Sequence, residues 1–155
     1  MLAIGTTAPD FELASSGPEK IFKLSAMQGR RVIIIFYPAD WTPVCTSELS
    51  IYNEALDFFK NQKTAVVGLS VDSVWCHIAF SGDRKFDFPL LADFEPKGAV
   101  AKNYNVYDHQ TGECKRALYL IDENGIIRWN YLSDRDVNPG ISGVLQALDD
   151  LNNKE

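Results

Sequence analysis

Apolar residues run unbroken through "RVIIIFY" at 31 to 37 and return in "TAVVGLSV" at 64 to 71. Runs of this length, rich in β-branched residues, predict strands covered on both faces. Between them the period lengthens. From Thr42 onward Leu49, Tyr52, Leu56 and Phe59 recur at helical spacing, which predicts one helix ending near Lys60. Upstream, "FELASSGPEKIFKLS" at 11 to 25 alternates around a Ser-Gly-Pro turn, the pattern of two short strands in a hairpin. Downstream, Ser73 is placed to cap a helix through Phe80, and "FPLLAD" at 88 to 93 predicts a short strand or extended segment before a helix over "PKGAVAKNY". "CKRALYLID" and "GIIRWNYLS" then form strands about the turn "DENG", with Cys114 opening the first and Arg116 within it. A last helix from about Gly140 carries Ile141, Val144, Leu148 and Leu151 as its inner stripe.

Two buried strands joined by a helix imply a parallel crossover, and the final hairpin adds antiparallel strands to the same sheet. The expected fold is an α/β, thioredoxin-like sandwich, a central mixed sheet flanked by helices with an N-terminal β-hairpin. No linker, repeat or low-complexity tract interrupts the chain, so residues 1–155 are expected to form one domain. A chain of this size buries roughly two-thirds of its unfolded surface.

The net charge of −6, without a Lys/Arg cluster beyond short pairs, argues against nucleic acid or an anionic membrane surface as partner. The longest aliphatic stretch, Val32 to Phe36, is far shorter than the ~20 residues of a membrane helix. The first residues lack the basic and apolar regions of an export signal, so a cytoplasmic location is expected. Three cysteines without a regular framework do not read as structural disulfides.

One of those cysteines stands where a strand gives way to a helix. Thr42 is a good N-cap residue and Pro43 suits the first helical position, which puts Cys45 at the third. Backbone N–H groups and the helix dipole there favour an anion over a neutral thiol. Lowering an ordinary thiol pKa of ~8.5 to about 6 requires ~3.4 kcal/mol, whereas a helix terminus supplies ~0.3–1 and at best about 2. A cation is therefore needed, and Arg116 is the candidate. The competing reading is a buried, inert thiol. Thr42 stands where a dithiol oxidoreductase of this fold carries its first cysteine, so Cys45 lacks the partner of a CxxC exchange cycle.

Pro38-Ala39-Asp40-Trp41-Thr42-Pro43-Val44-Cys45 resembles the PxxxTxxC signature of the peroxiredoxins, the alkyl hydroperoxide reductase and thiol-specific antioxidant family, and Thr46-Ser47-Glu48 continues it. "GTTAPDFEL", "GLSVDS", "FPLLAD" and "RALYLIDENGIIR" are similar to family segments in the family's order, so the resemblance extends from about residue 3 to 150. It implies a thiol-dependent peroxidase for hydrogen peroxide and small organic hydroperoxides. In that reaction Cys45 attacks the terminal peroxide oxygen and becomes sulfenic acid. It further implies that Thr42 and Arg116 bind the peroxide oxygens, that Arg116 stabilises the thiolate, and that Pro38 shields the sulfur. Glu48 either positions an arginine by ion pairing or is a solvated first-turn acid.

The chain departs from the family's common schemes for recycling the sulfenic acid. No C-terminal extension carries a resolving cysteine, and Ser50 stands where another subgroup has one. Cys76, at a helix start, is the internal candidate, Cys114 reads as structural, and otherwise an external thiol closes the cycle. That reductant is expected to be a thioredoxin-like protein, a glutaredoxin-like protein or a low-molecular-weight thiol. No cofactor is expected, and the spacing of His77 and His109 matches no zinc motif. Tyr37, Trp41 and Trp75 read as packing ahead of substrate or subunit contacts. The resemblance also implies a homodimer or larger assembly. The alternative function is a redox-sensing or interaction protein switched by Cys45 oxidation.

Overall fold

The structure is a computed structural model that describes residues 1–154; Glu155, the end of the expected 1–155 unit, lies outside the described residues. The chain begins with the expected hairpin, β1 (Glu12–Ser15) and β2 (Ile21–Lys23), followed by β3 (Arg31–Phe36). Then come α1 (Pro43–Glu54), α2 (Leu56–Asn61), β4 (Thr64–Ser70), α3 (Val74–Arg84) and β5 (Leu90–Ala92). The second half holds α4 (Ala99–Asn103), β6 (Tyr107–Asp108), β7 (Glu113–Cys114), β8 (Ala117–Ile121), β9 (Ile127–Leu132) and α5 (Ser142–Lys154).

Seven strands form one mixed sheet in the order β2-β1-β5-β4-β3-β8-β9. β3, β4 and β5 are parallel, while β8 runs antiparallel to β3 and β9 antiparallel to β8. With β3 at the centre, its alternate residues supply both faces. Val32, Ile34 and Phe36 pack with Val67, Leu69, Tyr104 and Tyr119. Ile33, Ile35 and Tyr37 pack with Cys45, Leu49, Tyr52 and Phe59, joined by Phe80 of α3 and Leu148 of α5. The continuous apolar run is thus the signature of a strand covered on both sides.

Four boundaries differ from expectation. The single helix from Thr42 to Lys60 is two, separated at Ala55 (φ −91°, ψ 7°). The break keeps Leu49, Tyr52, Leu56 and Phe59 all inside one apolar cluster, so side-chain periodicity cannot reveal it. α3 continues past Phe80 to Arg84, where Lys85 ends it in the left-handed conformation. α4 starts only at Ala99, because Gly98 (φ +70°) has left-handed backbone. Cys114 does not open the β8 strand: it lies in β7, which pairs with β6 in a separate two-stranded ribbon, and Arg116 precedes β8.

The pairing of β3 with β8 positions the chemistry. Phe36 is opposite Ala117, so Arg116 stands beside the chain as it leaves β3 and turns into α1.

Candidate active site

Thr42 occupies the N-cap position of α1 with extended backbone (φ −77°, ψ 149°), Pro43 opens the helix and Cys45 is its third residue. The expected side-chain cap is absent. The Thr42 hydroxyl instead donates to the Ala39 carbonyl at 2.9 Å, while Thr46 Oγ1 and the Thr46 N–H both bond to the Thr42 carbonyl. With its only hydrogen directed backwards, Thr42 Oγ1 is left as an acceptor.

Cys45 is 1% exposed and Arg116 2%. The guanidinium uses three nitrogens: Nη2 donates to Cys45 Sγ at 3.3 Å, Nη1 to Glu48 Oε1 at 2.9 Å and Nε to the Arg135 carbonyl at 2.8 Å. Burial acts to lower the Arg116 pKa, but the bond and charge of Cys45, together with Glu48, raise it above its ordinary value. The cation demanded by the energetics of the helix terminus is thus in contact with the sulfur. Glu48 is fully buried rather than a solvated first-turn acid. Its Oε2 has no hydrogen-bond partner among the described residues, and burial outweighs the pull of Arg116, so its carboxyl is pushed up to about 7. Tyr52, one turn along, also lacks a partner for its hydroxyl and is held protonated by burial and by Glu48.

A cleft of about 170 Å³ opens at this point, lined by Pro38, Thr42, Pro43, Val44, Arg116, Arg135 and Asp136. A water occupies ~30 Å³ of liquid, so the cleft suits a molecule of a few heavy atoms. Arg135 and Asp136 escaped the sequence reading. They belong to a loop after β9 whose approach depends on Ser133 N–H bonding the Arg116 carbonyl at 2.9 Å, and no motif announces that contact. The Arg135 guanidinium pairs with Glu113 at 3.0 Å.

The structure therefore brings Cys45, Thr42, Arg116, Glu48 and Pro38 together. The sequence candidate Cys76 has different neighbours. It is the third residue of α3, where its N–H bonds the Ser73 cap at 3.2 Å. Burial and then the Asp40 carboxylate push its thiol up. Cys114 is buried and pushed up well beyond the ordinary range, by burial first. All three cysteines are free. Among the described residues Asp40, Asp72 and His77 bring ligand-type atoms within 4.8 Å of one another. Each is already engaged: His77 bonds Asp40 at 2.7 Å and the Leu91 carbonyl at 3.0 Å, and Asp72 accepts from Ser70 Oγ at 2.6 Å and from the Asp40 N–H at 3.0 Å. None of the described helices is long and apolar enough to cross a membrane.

Comparison with known proteins gives one consistent answer. The sequence pattern of the AhpC/TSA family matches residues 4–130. A peroxiredoxin of Thermoplasma volcanium is 33% identical over 154 residues, covering 95% of this chain and 73% of that protein. Alkyl hydroperoxide reductase E of Mycobacterium tuberculosis is 34% identical over 129 residues, covering 83% of this chain and 84% of its own. The crystal structure of reduced Plasmodium vivax 2-Cys peroxiredoxin superposes with a TM-score of 0.90 at 27% identity, over 99% of this chain and 83% of that one.

Proposed function

Since this chain belongs to the AhpC/TSA family, the peroxiredoxins, and is a thiol-dependent peroxidase, we propose that Cys45 is its peroxide-reducing thiol and that Arg116, Thr42 and Pro38 complete the site. The observation that carries this reading is the 3.3 Å bond from Arg116 to Cys45 Sγ at the mouth of a helix. The thiolate sulfur attacks the terminal oxygen of ROOH, an S–O bond forms as the O–O bond breaks, and the products are Cys45 sulfenic acid and RO⁻, which takes a proton from water. Thr42 Oγ1 accepts the peroxide O–H, and Arg116 donates to the oxygen on which charge develops. Pro38 walls the cleft above the sulfur, and Glu48 holds the guanidinium by ion pairing.

We assign recycling to an external thiol, a thioredoxin-like or glutaredoxin-like protein or a small thiol. The first thiol converts the sulfenic acid to a mixed disulfide and releases water, and a second releases the Cys45 thiol. Cys114 is too buried to serve, and Cys76 is the internal alternative. A cytoplasmic role in redox homeostasis suits this chemistry. Self-association is assigned to the face where Trp75 and Ile78 of α3 stand exposed; Trp41, also exposed, sets its ring at a tilt against Phe80 of the same helix with centroids 5.0 Å apart.

The test is intact-mass analysis of wild type and Cys45→Ser after one equivalent of hydrogen peroxide, with a sulfenic-acid trap and no reductant. A trapped adduct confined to wild type is the expected result. Loss of two mass units without trapping shows an internal disulfide, with Cys76 the first partner to map, and absence of both species from folded wild type overturns the assignment of Cys45.

A further inference from the structure

Thr42 and Cys45 follow a loop, Pro38 to Trp41, whose anchor lies away from the cleft. Asp40 is 5% exposed and each oxygen of its carboxylate is held by a buried side chain. Oδ1 accepts from the Tyr37 hydroxyl at 2.6 Å, Oδ2 bonds His77 Nδ1 at 2.7 Å, and the Asp40 N–H donates to Asp72 at 3.0 Å. His77 is fully buried on α3, and its other nitrogen reaches the Leu91 carbonyl at 3.0 Å. A carbonyl only accepts, so Nε2 carries a hydrogen, and Nδ1 shares a proton with Asp40. This imidazole is thus clamped between β5 and the loop. The loop needs a clamp: Trp41, next to Asp40, has φ +71°, a left-handed conformation that a bulky side chain adopts only when its surroundings impose it. On the other side of Asp40 is Ala39, whose carbonyl takes the Thr42 hydroxyl hydrogen.

We propose that His77 is a positioning residue for peroxide reduction: through Asp40 it holds the loop that places the Ala39 carbonyl, and so fixes Thr42 Oγ1 as an acceptor facing the substrate. The proposal rests on the assignment of Cys45 and Thr42 to the peroxide site. It adds a contact from α3, an element that contributes nothing to the lining of the cleft.

Two substitutions divide the bonds of His77. His77→Asn keeps a donor at the Nδ1 position and loses the one to Leu91, whereas His77→Gln keeps a donor to Leu91 and loses the one to Asp40. The rate of Cys45 oxidation by hydrogen peroxide, followed by stopped-flow tryptophan fluorescence, and the thermal midpoint are measured for both. The expected result is a similar fall in midpoint for the two, a rate loss of about tenfold or more for His77→Gln, and recovery of most of that rate in His77→Asn. In a Thr42→Val background His77→Gln should bring no further loss, since its effect runs through Thr42. Equal rate losses in the two variants, rates that merely track the midpoint, or an additive loss in the Thr42→Val background overturn the proposal. Should His77→Gln not fold, Tyr37→Phe removes the other side-chain bond to Asp40 and is held to the same cycle with Thr42→Val. Wild type that forms no sulfenic acid is a different failure, that of the peroxide-site assignment itself.

Discussion

At the scale of a residue, Glu48 carries a consequence that its type alone does not announce. In the unfolded chain its carboxyl titrates near 4.5, and in the folded one near 7, because burial of an oxygen without a partner outweighs Arg116. Between those values the folded chain keeps a proton that the unfolded chain has released. The contribution of Glu48 to stability is therefore fully present below about 4.5 and is lost as the pH rises through 7, by about 3 kcal/mol at ~1.4 kcal/mol per unit. Glu48→Gln is expected to remove this slope, which denaturant unfolding of both proteins between pH 4.5 and 8 measures. An unchanged slope contradicts the account. The sequence left two readings of Glu48 open, paired or solvated, because its place in the first turns of α1 suits either. What decides is the side of the helix that meets Arg116, 68 residues away in the chain.

At the scale of an element, the strands were legible because their residues repeat with period two or run apolar without break, α3 because Ser73 marks its start, and α5 because its apolar residues repeat with the helical period. β6 and β7, of two residues each, are too short to show any period, and the bend at Ala55 leaves the apolar stripe in phase. Within β4, Gly68 marks a close approach. A Cβ there would meet Leu90 Cδ2 at 2.7 Å and the Tyr37 ring at 3.2 Å. Leu90 and Tyr37 are both fully buried, so neither has room to retreat. Gly68→Ala is expected to cost about 1–3 kcal/mol, seen as a lower thermal midpoint. An unchanged midpoint means that the β4–β5 layer is looser than its packing indicates.

At the scale of the whole molecule, the sheet gathers three distant segments at the end of β3: the turn into α1, Arg116 before β8, and the Ser133–Asp136 loop after β9. On α3, Trp75 is 77% exposed and Ile78 45%, three residues apart. If this face joins copies of the chain, a buried charge there disrupts the contact. Trp75→Glu is expected to convert the wild-type assembly to monomer in size-exclusion chromatography with light scattering, with the fold retained by circular dichroism. A wild-type monomer, or a variant that still assembles, removes this face from the proposal. What the sequence determined by itself is local or periodic: the order of elements, the strand buried on both faces, and a cysteine three positions into a helix opened by Thr42 and Pro43. The tertiary structure decided which cation meets that sulfur, that Glu48 is buried, and that Arg135 borders the cleft. Those facts depend on strand pairing and side-chain burial between residues far apart in the chain, and neither leaves a period or a spacing in the sequence from which it could be read.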